Sequence, residues 1–134
     1  MILQLLKKIL FGEPRKSRGG SGSSLDRELV RKSWRHIEEL MTLGKPSNFK
    51  TAVMEADKLL DYVLKGKGYR GQMMGDRMKA IPRSEYERDF FDAMWSAHKL
   101  RNHIAHSMDY EVQFFEARDA IKNFKRVMQD LKVL

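Results

Sequence analysis

Apolar residues recur at every third or fourth position through most of residues 25–134, and no stretch alternates apolar and polar residues as a half-buried strand does. The spacing predicts five helices, four long and one short, over residues 25–43, 48–65, 72–80, 84–106 and 111–132. No repeat of solenoid length is present. The sequence therefore predicts an all-α fold, an antiparallel helical bundle with a helical N-terminal tail.

Capping residues suggest where these helices begin. Asp26 or Ser24 is suited to cap the first helix, and Ser47 is suited to cap the second. Pro82 closes the short helix, and together with Ser84 it is expected to open the fourth. The second helix is the most clearly amphipathic, and its charged residues are expected on the face opposite its apolar stripe.

Residues 1–11 are apolar apart from Gln4, Lys7 and Lys8. As a helix they would span about 16 Å, well short of a bilayer core of about 30 Å. Positive charge inside the apolar run and the lack of a small-residue cleavage site argue against a signal peptide. Two interpretations stay open, an amphipathic anchor at a membrane surface and a helix that packs on a partner or on its own domain.

A Gly-, Ser- and Arg/Lys-containing linker over residues 12–24 follows, with almost nothing apolar to bury. The folded domain is therefore expected over residues 25–134. A chain of 134 residues is the usual size of one domain.

The formal net charge is +8, and about half of this excess lies in residues 1–24. A basic chain favours polyanions such as RNA or anionic lipid, and the alternative is a surplus that only aids solubility. The chain contains no Cys, which excludes disulfides, a thiol nucleophile and Cys-ligated zinc. The cytoplasm is the predicted location, either free or at the inner face of the membrane.

The fourth predicted helix carries an arginine within its apolar stripe. Successive residues turn by about 100°, which places Arg101 about 60° from Tyr86, among the core positions. An unpaired guanidinium is very costly there, so it must be paired, hydrogen-bonded or directed into a cleft. Glu55, Asp57 and Asp61 are carboxylates that can pair with it across the bundle.

A second face of the same helix, at roughly 120–200°, carries both aromatic and polar residues: Phe91, Trp95, His98, Asn102 and His106. An extra aromatic patch, Phe91 and Trp95, predicts a second contact surface, which we interpret as a subunit interface. The alternative is a core that surrounds a central helix and buries both faces.

The helix ends in Arg101-Asn102-His103-Ile104-Ala105-His106. This Arg-Asn-x-x-x-His motif, late in an all-helical domain, resembles the HEPN superfamily, and the resemblance covers residues 25–134. Many members of that family are dimeric RNA endonucleases that need no metal. The resemblance implies a homodimer in which two motif helices line one cleft, with Arg101, Asn102 and His106 as catalytic residues and no cofactor.

These residue types suit RNA cleavage through the 2′-hydroxyl. Histidine moves protons near neutral pH, and the planar guanidinium of arginine bonds two phosphate oxygens. We therefore assign proton transfer to His106, the phosphate and transition state to Arg101, and orientation to Asn102. His98 and Lys99 are predicted to contact RNA, although His98 can instead face a carboxylate. A zinc site is disfavoured because His98, His103 and His106 point to different sides of the helix.

The first hypothesis is thus a homodimeric endonuclease for single-stranded RNA, of a toxin or defence type, restrained by an antitoxin or another protein partner. The second is a catalytically inactive helical module that binds RNA or protein, tethered to a membrane or partner by residues 1–11. In a third interpretation both residues have only structural roles: Arg101 pairs with a carboxylate, and the helix macrodipole favours His106 at the end of the helix.

Overall fold

The computed structural model describes residues 25–134, which contain helices and no strand. The five helices are α1 (Arg27–Thr42), α2 (Pro46–Gly66), α3 (Met74–Lys79), α4 (Arg88–His106) and α5 (Phe114–Asp130). The predicted all-α class is confirmed for this part of the chain. The predicted tail and linker, residues 1–24, lie outside the described residues.

Asp26, one of the two predicted caps of α1, does cap that helix, whereas the predicted cap of α2 does not. The Asp26 side chain accepts a hydrogen bond from the Leu29 backbone N–H at 3.0 Å. The prediction that Ser47 caps α2 is wrong, because the helix already begins at Pro46, with Lys45 before it. Proline suits this first position, since it lacks the N–H that would otherwise have no partner there.

The start of α4 is also later than predicted. Residues 82–87 form a turn in which the Glu85 backbone N–H donates to the Pro82 carbonyl at 3.1 Å, and helix begins only at Arg88. Ser84 therefore does not open the helix. The C-terminal end matches the prediction, because α4 continues through His106 and carries the whole motif.

Helix α2 is the centre of the domain, since α1, α3, α4 and α5 all pack against it. Its fully buried residues are small or branched apolar side chains: Ala52, Val53, Ala56, Leu59, Leu60, Val63 and Leu64. Around them α4 contributes Phe90 and Met94, and α5 contributes Phe124 and Met128. A polar side chain on a helix surrounded in this way must find a partner on a neighbouring element.

No helix within residues 25–134 combines the length and the apolarity that crossing a bilayer requires. The predicted membrane anchor, residues 1–11, lies outside this region.

Glu55 of α2 is a half-buried carboxylate whose Oε2 atom is buried without a hydrogen-bond partner. Burial raises the pKa of Glu55, and nearby Lys58 and His36 only partly offset this. The folded state therefore holds the Glu55 proton more tightly than the unfolded chain does. The contribution of Glu55 to the free energy of unfolding is therefore most favourable below its ordinary pKa of 4.5. That contribution is lost as the pH rises through the raised pKa of the folded state.

We predict that Glu55→Gln makes the domain modestly more stable than the wild type at pH 7, because the amide carries no charge to desolvate. The gain shrinks toward zero as the pH falls below 4.5, where glutamate itself is protonated. Urea unfolding at several pH values measures this. Exposed Glu39, replaced in the same way, is the control, and an equal pH dependence of the two variants would contradict the assignment.

Candidate functional site

Asp57 lies on α2, is only 3% exposed, and faces α4. Its Oδ1 atom is 2.8 Å from His98 Nδ1, and its Oδ2 atom is 3.5 Å from Arg101 Nε. The contact with Arg101 is an ion pair without a hydrogen bond, since Nε itself is buried and has no acceptor. A buried carboxylate thus holds two side chains of the motif helix.

Asn102 closes these contacts into a ring. Its Nδ2 atom is 3.3 Å from His98 Nε2, and its Oδ1 atom accepts a hydrogen bond from Arg101 Nη1 at 3.0 Å. Both His98 contacts are hydrogen bonds when the His98 Nδ1–H donates to Asp57 and His98 Nε2 accepts from Asn102, which assigns the tautomer. We call Asp57, His98, Arg101 and Asn102 the polar ring.

The helical repeat of α4 explains why this ring forms. His98, Arg101 and Asn102 are three and four residues apart, so they share one face of the helix. That face lies against Asp57 because α4 packs on α2. Of the carboxylates suggested by the sequence, Asp57 is thus the partner of Arg101, and His98 also faces a carboxylate.

The polar ring lies in the wall of a cavity of about 1020 Å³. The same cavity is lined by His106 and Lys99, both of them exposed. The Arg101 side chain is 31% exposed, so its guanidinium reaches the cavity although Nε is buried. The structure therefore brings together around one space the residues predicted as catalytic or RNA-contacting: Arg101, Asn102, His106, His98 and Lys99.

The two predicted interface aromatics occupy different environments. Phe91 is 3% exposed and packs edge-on against Phe90, with ring centroids 5.1 Å apart. It belongs to the core of the single chain and offers a second chain almost no surface. Trp95 is half-buried, lines the cavity, and lies 6.1 Å from the His98 ring in an edge-on arrangement.

A second ion pair, which was not predicted from the sequence, also lines the cavity. Arg77 of α3 is 7% exposed, and its Nε atom is 2.5 Å from Asp61 Oδ1 on α2. Arg77 Nη2 is 3.3 Å from Asp61 Oδ2, and Nη1 donates to the carbonyl of Gly71. The one hint of this pair in the sequence is Asp61, a carboxylate one helical turn after Asp57. Both aspartates were expected on the face of α2 opposite its apolar stripe, and this expectation was wrong for Asp57.

His103 is exposed, as its place between the motif residues suggests, and its ring packs edge-on against Tyr110 at 4.3 Å. A hydrogen bond to Glu116 is the largest cause of the raised pKa of Tyr110. This hydrogen bond ties the chain after α4 to the first turn of α5. It fixes the exit of the motif helix without using a motif residue.

Comparisons with known proteins do not extend this description, since no protein-family model, no curated protein and no solved structure matches the chain. Within residues 25–134, no three acidic or histidine side chains are grouped so that they could share a metal ion. What the site does must therefore be argued from its own geometry and chemistry.

We predict that Asp57→Asn lowers the free energy of unfolding by roughly 2–3 kcal/mol, because it removes a buried charge that two partners on α4 require. Denaturation in urea measures the loss. The matched control is Asp119→Asn, since the Asp119 side chain is 60% exposed and, among residues 25–134, pairs only with adjacent Arg118. The control should change stability by less than about 0.5 kcal/mol. Equal stability of the two variants would show that Asp57 does not organise the site.

Proposed function

We propose that this chain is a HEPN-like RNA endonuclease that needs no metal and acts as a homodimer. One observation carries the proposal: the motif residues Arg101, Asn102 and His106 line one cavity, and a buried carboxylate fixes the orientation of the arginine. Fixed side chains around an accessible space are what transition-state stabilisation requires, because their orientation costs nothing at the moment of reaction.

Arg101 is suited to bind the phosphate that reacts. Asp57 lies beside its Nε atom, and Asn102 accepts from Nη1, so the guanidinium plane is held from two sides. No hydrogen bond occupies Nη2 within the described residues, and 31% of the side chain is exposed at the cavity. The outer edge of the guanidinium is thus available for phosphate oxygens.

His106 is suited to proton transfer. It is the last residue of α4, its side chain is exposed at the cavity, and no hydrogen bond or ion pair holds it within residues 25–134. In the proposed reaction, a base takes the proton of the 2′-hydroxyl as the 2′-oxygen bonds to phosphorus. An acid then protonates the 5′-oxygen as its bond to phosphorus breaks.

One chain supplies a single unbound histidine of this kind at the cavity, whereas the reaction needs both a base and an acid. A twofold axis beside the end of α4 would add a second His106 and a second Arg101 to the same cleft. His98 cannot easily replace the second histidine, since both of its ring nitrogens are engaged in the polar ring. This requirement supports the homodimer.

The charge at the cavity favours an anionic substrate. Lys58, Lys79 and Lys99 line it, and none of them is in an ion pair within the part of the chain described. RNA offers both the negative backbone and the 2′-hydroxyl, whereas DNA lacks the hydroxyl and is expected to bind without being cut.

The proposed setting is a cytoplasmic toxin or defence module that a protein partner, such as an antitoxin, restrains. Residues 1–11 would then tether the enzyme to the inner face of a membrane or to that partner. The toxin or defence role rests on the resemblance to the HEPN superfamily, and the tether rests on the apolar character of residues 1–11.

A second candidate is an RNA-binding module that does not cleave. The observation that favours it is the Asp57–Arg101 ion pair, which withdraws part of the positive charge of Arg101 from a bound phosphate. The two candidates share the cavity and differ only in whether His106 moves protons.

We predict that the purified full-length chain cleaves single-stranded RNA in the presence of EDTA, and that His106→Ala lowers the cleavage rate by about 100-fold or more. Arg101→Lys should also reduce the rate strongly, because lysine keeps the charge but loses the planar fork. Gel analysis of end-labelled RNA measures both effects.

The matched control is His103→Ala, which removes an exposed histidine of the same helix that lies outside the cavity lining. This variant should cleave at nearly the wild-type rate. If wild-type protein binds RNA but never cuts it, the binding module is correct. Cleavage that His106→Ala leaves unchanged would reject the proposed site.

A further inference from the structure

Part of the cavity lining is apolar, and some of it is exposed. Met73 is 72% exposed, which is unusual for a large apolar side chain, and neighbouring Met74 is half-buried. Both line the cavity, as does half-buried Trp95 of α4. Apolar and aromatic surface thus lies at the same cavity as the cationic residues.

The segment that carries Met73 is held firmly. Arg77 ties the Gly71 carbonyl and Asp61 together, and the Met73 backbone N–H donates to Asp76 Oδ2 at 3.3 Å. Gly71 is required here, since a Cβ atom at this position would lie 2.6 Å from Asp76 Cβ and 2.8 Å from Arg77 N. The exposed methionine is therefore presented by an ordered backbone, which lowers the entropy cost of binding a ligand.

The charges around this apolar surface match a polyanion that carries flat apolar groups. Five cationic side chains and three carboxylates line the cavity. Each carboxylate is already engaged: Asp57 by the polar ring, Asp61 by Arg77, and Asp76 by the Met73 backbone. The cationic excess is thus left to face a ligand, and a cavity of about 1020 Å³ has room for more than a single small molecule.

We infer that Trp95, Met73 and Met74 form a subsite for an unpaired nucleobase of the strand whose phosphate lies at Arg101. This deepens the proposed function and rests on it for the identity of the ligand as a nucleic acid. Stacking of a base on an aromatic ring is sequence-tolerant, because every base has a π-face. A base within a duplex is already stacked on its neighbours, so the subsite selects single-stranded regions.

Trp95 supplies a direct readout. The chain contains two tryptophans, and the other, Trp34, is 3% exposed and buried in the core. Quenching of tryptophan fluorescence by a ligand therefore reports contact at Trp95. Single-stranded DNA is the suitable probe, because it carries bases and phosphates but lacks the 2′-hydroxyl and cannot be cleaved by the proposed route.

The experiment compares a short, dye-labelled DNA strand with an abasic strand of the same length and charge, on the full chain, by fluorescence anisotropy. The wild type should bind the strand with bases roughly 5- to 150-fold more tightly than the abasic strand, and only the former should quench Trp95. Trp95→Leu should remove most of this difference, and Trp95→Phe should keep most of it.

Met73→Ala is the second variant, chosen because truncating a side chain that is 72% exposed does not threaten the fold. It should reduce the difference roughly 2- to 5-fold through lost contact with the base. Met108→Ala is its control, since Met108 is 93% exposed and lies outside the cavity lining, and this variant should leave the difference unchanged.

Equal binding of the two strands by the wild type, or no binding of either, would overturn the subsite. So would a difference that survives both Trp95→Leu and Met73→Ala. RNA cleavage measured in parallel separates the two proposals. Base-dependent binding without cleavage keeps the subsite and rejects the nuclease, whereas cleavage without base-dependent binding rejects the subsite alone.

Discussion

Two aspartates one helical turn apart on α2 line the cavity and bind side chains of α3 and α4. Asp57 binds His98 and Arg101 of α4, and Asp61 binds Arg77 of α3. Because the other helices pack around α2, Asp57 is only 3% exposed, and a buried carboxylate of this kind requires partners. Two ion pairs on one helix thus add to the apolar packing that places α3 and α4 beside α2.

Buried ion pairs contribute little net stability, since the cost of desolvation offsets most of the attraction. What they contribute here is orientation. An apolar residue in place of Asp57 could fill the same volume, but it could not define the tautomer of His98 or the plane of the Arg101 guanidinium. The proposed reaction has to hold a phosphate and a sugar hydroxyl in line, and for that purpose orientation matters more than added stability.

The sequence predicted the helices well and the contacts between them less well. Apolar periodicity located all five helices, because burial of one face of a helix leaves a clear repeat. The starts of two helices were predicted wrongly from Ser47 and Ser84. Proline at the first position of α2 and a turn before α4 determine those boundaries instead. Caps depend on the local backbone path, which periodicity does not contain.

At the site, too, helix periodicity predicted which face a residue occupies but not the contacts between helices. Placing Arg101 on the apolar stripe correctly implied a partner or a cleft, and the structure shows both, in Asp57 and in the cavity. The burial of Asp57 could not be foreseen, because it lies at the border of the apolar stripe of α2, and only the packing of α4 decides that it is covered. The Arg77–Asp61 pair was missed for a related reason, as it depends on how a loop of several residues folds back onto α2.

We propose that the cavity cleaves RNA through the 2′-hydroxyl, with protons moved by His106. The chemical ends of the fragments that the full-length chain releases in EDTA test this most directly. We predict 2′,3′-cyclic phosphate and 5′-hydroxyl ends, formed by the wild type and lost in His106→Ala. Fragments with 5′-phosphate and 3′-hydroxyl ends, or cyclic phosphates that persist at the same rate in the variant, would contradict it.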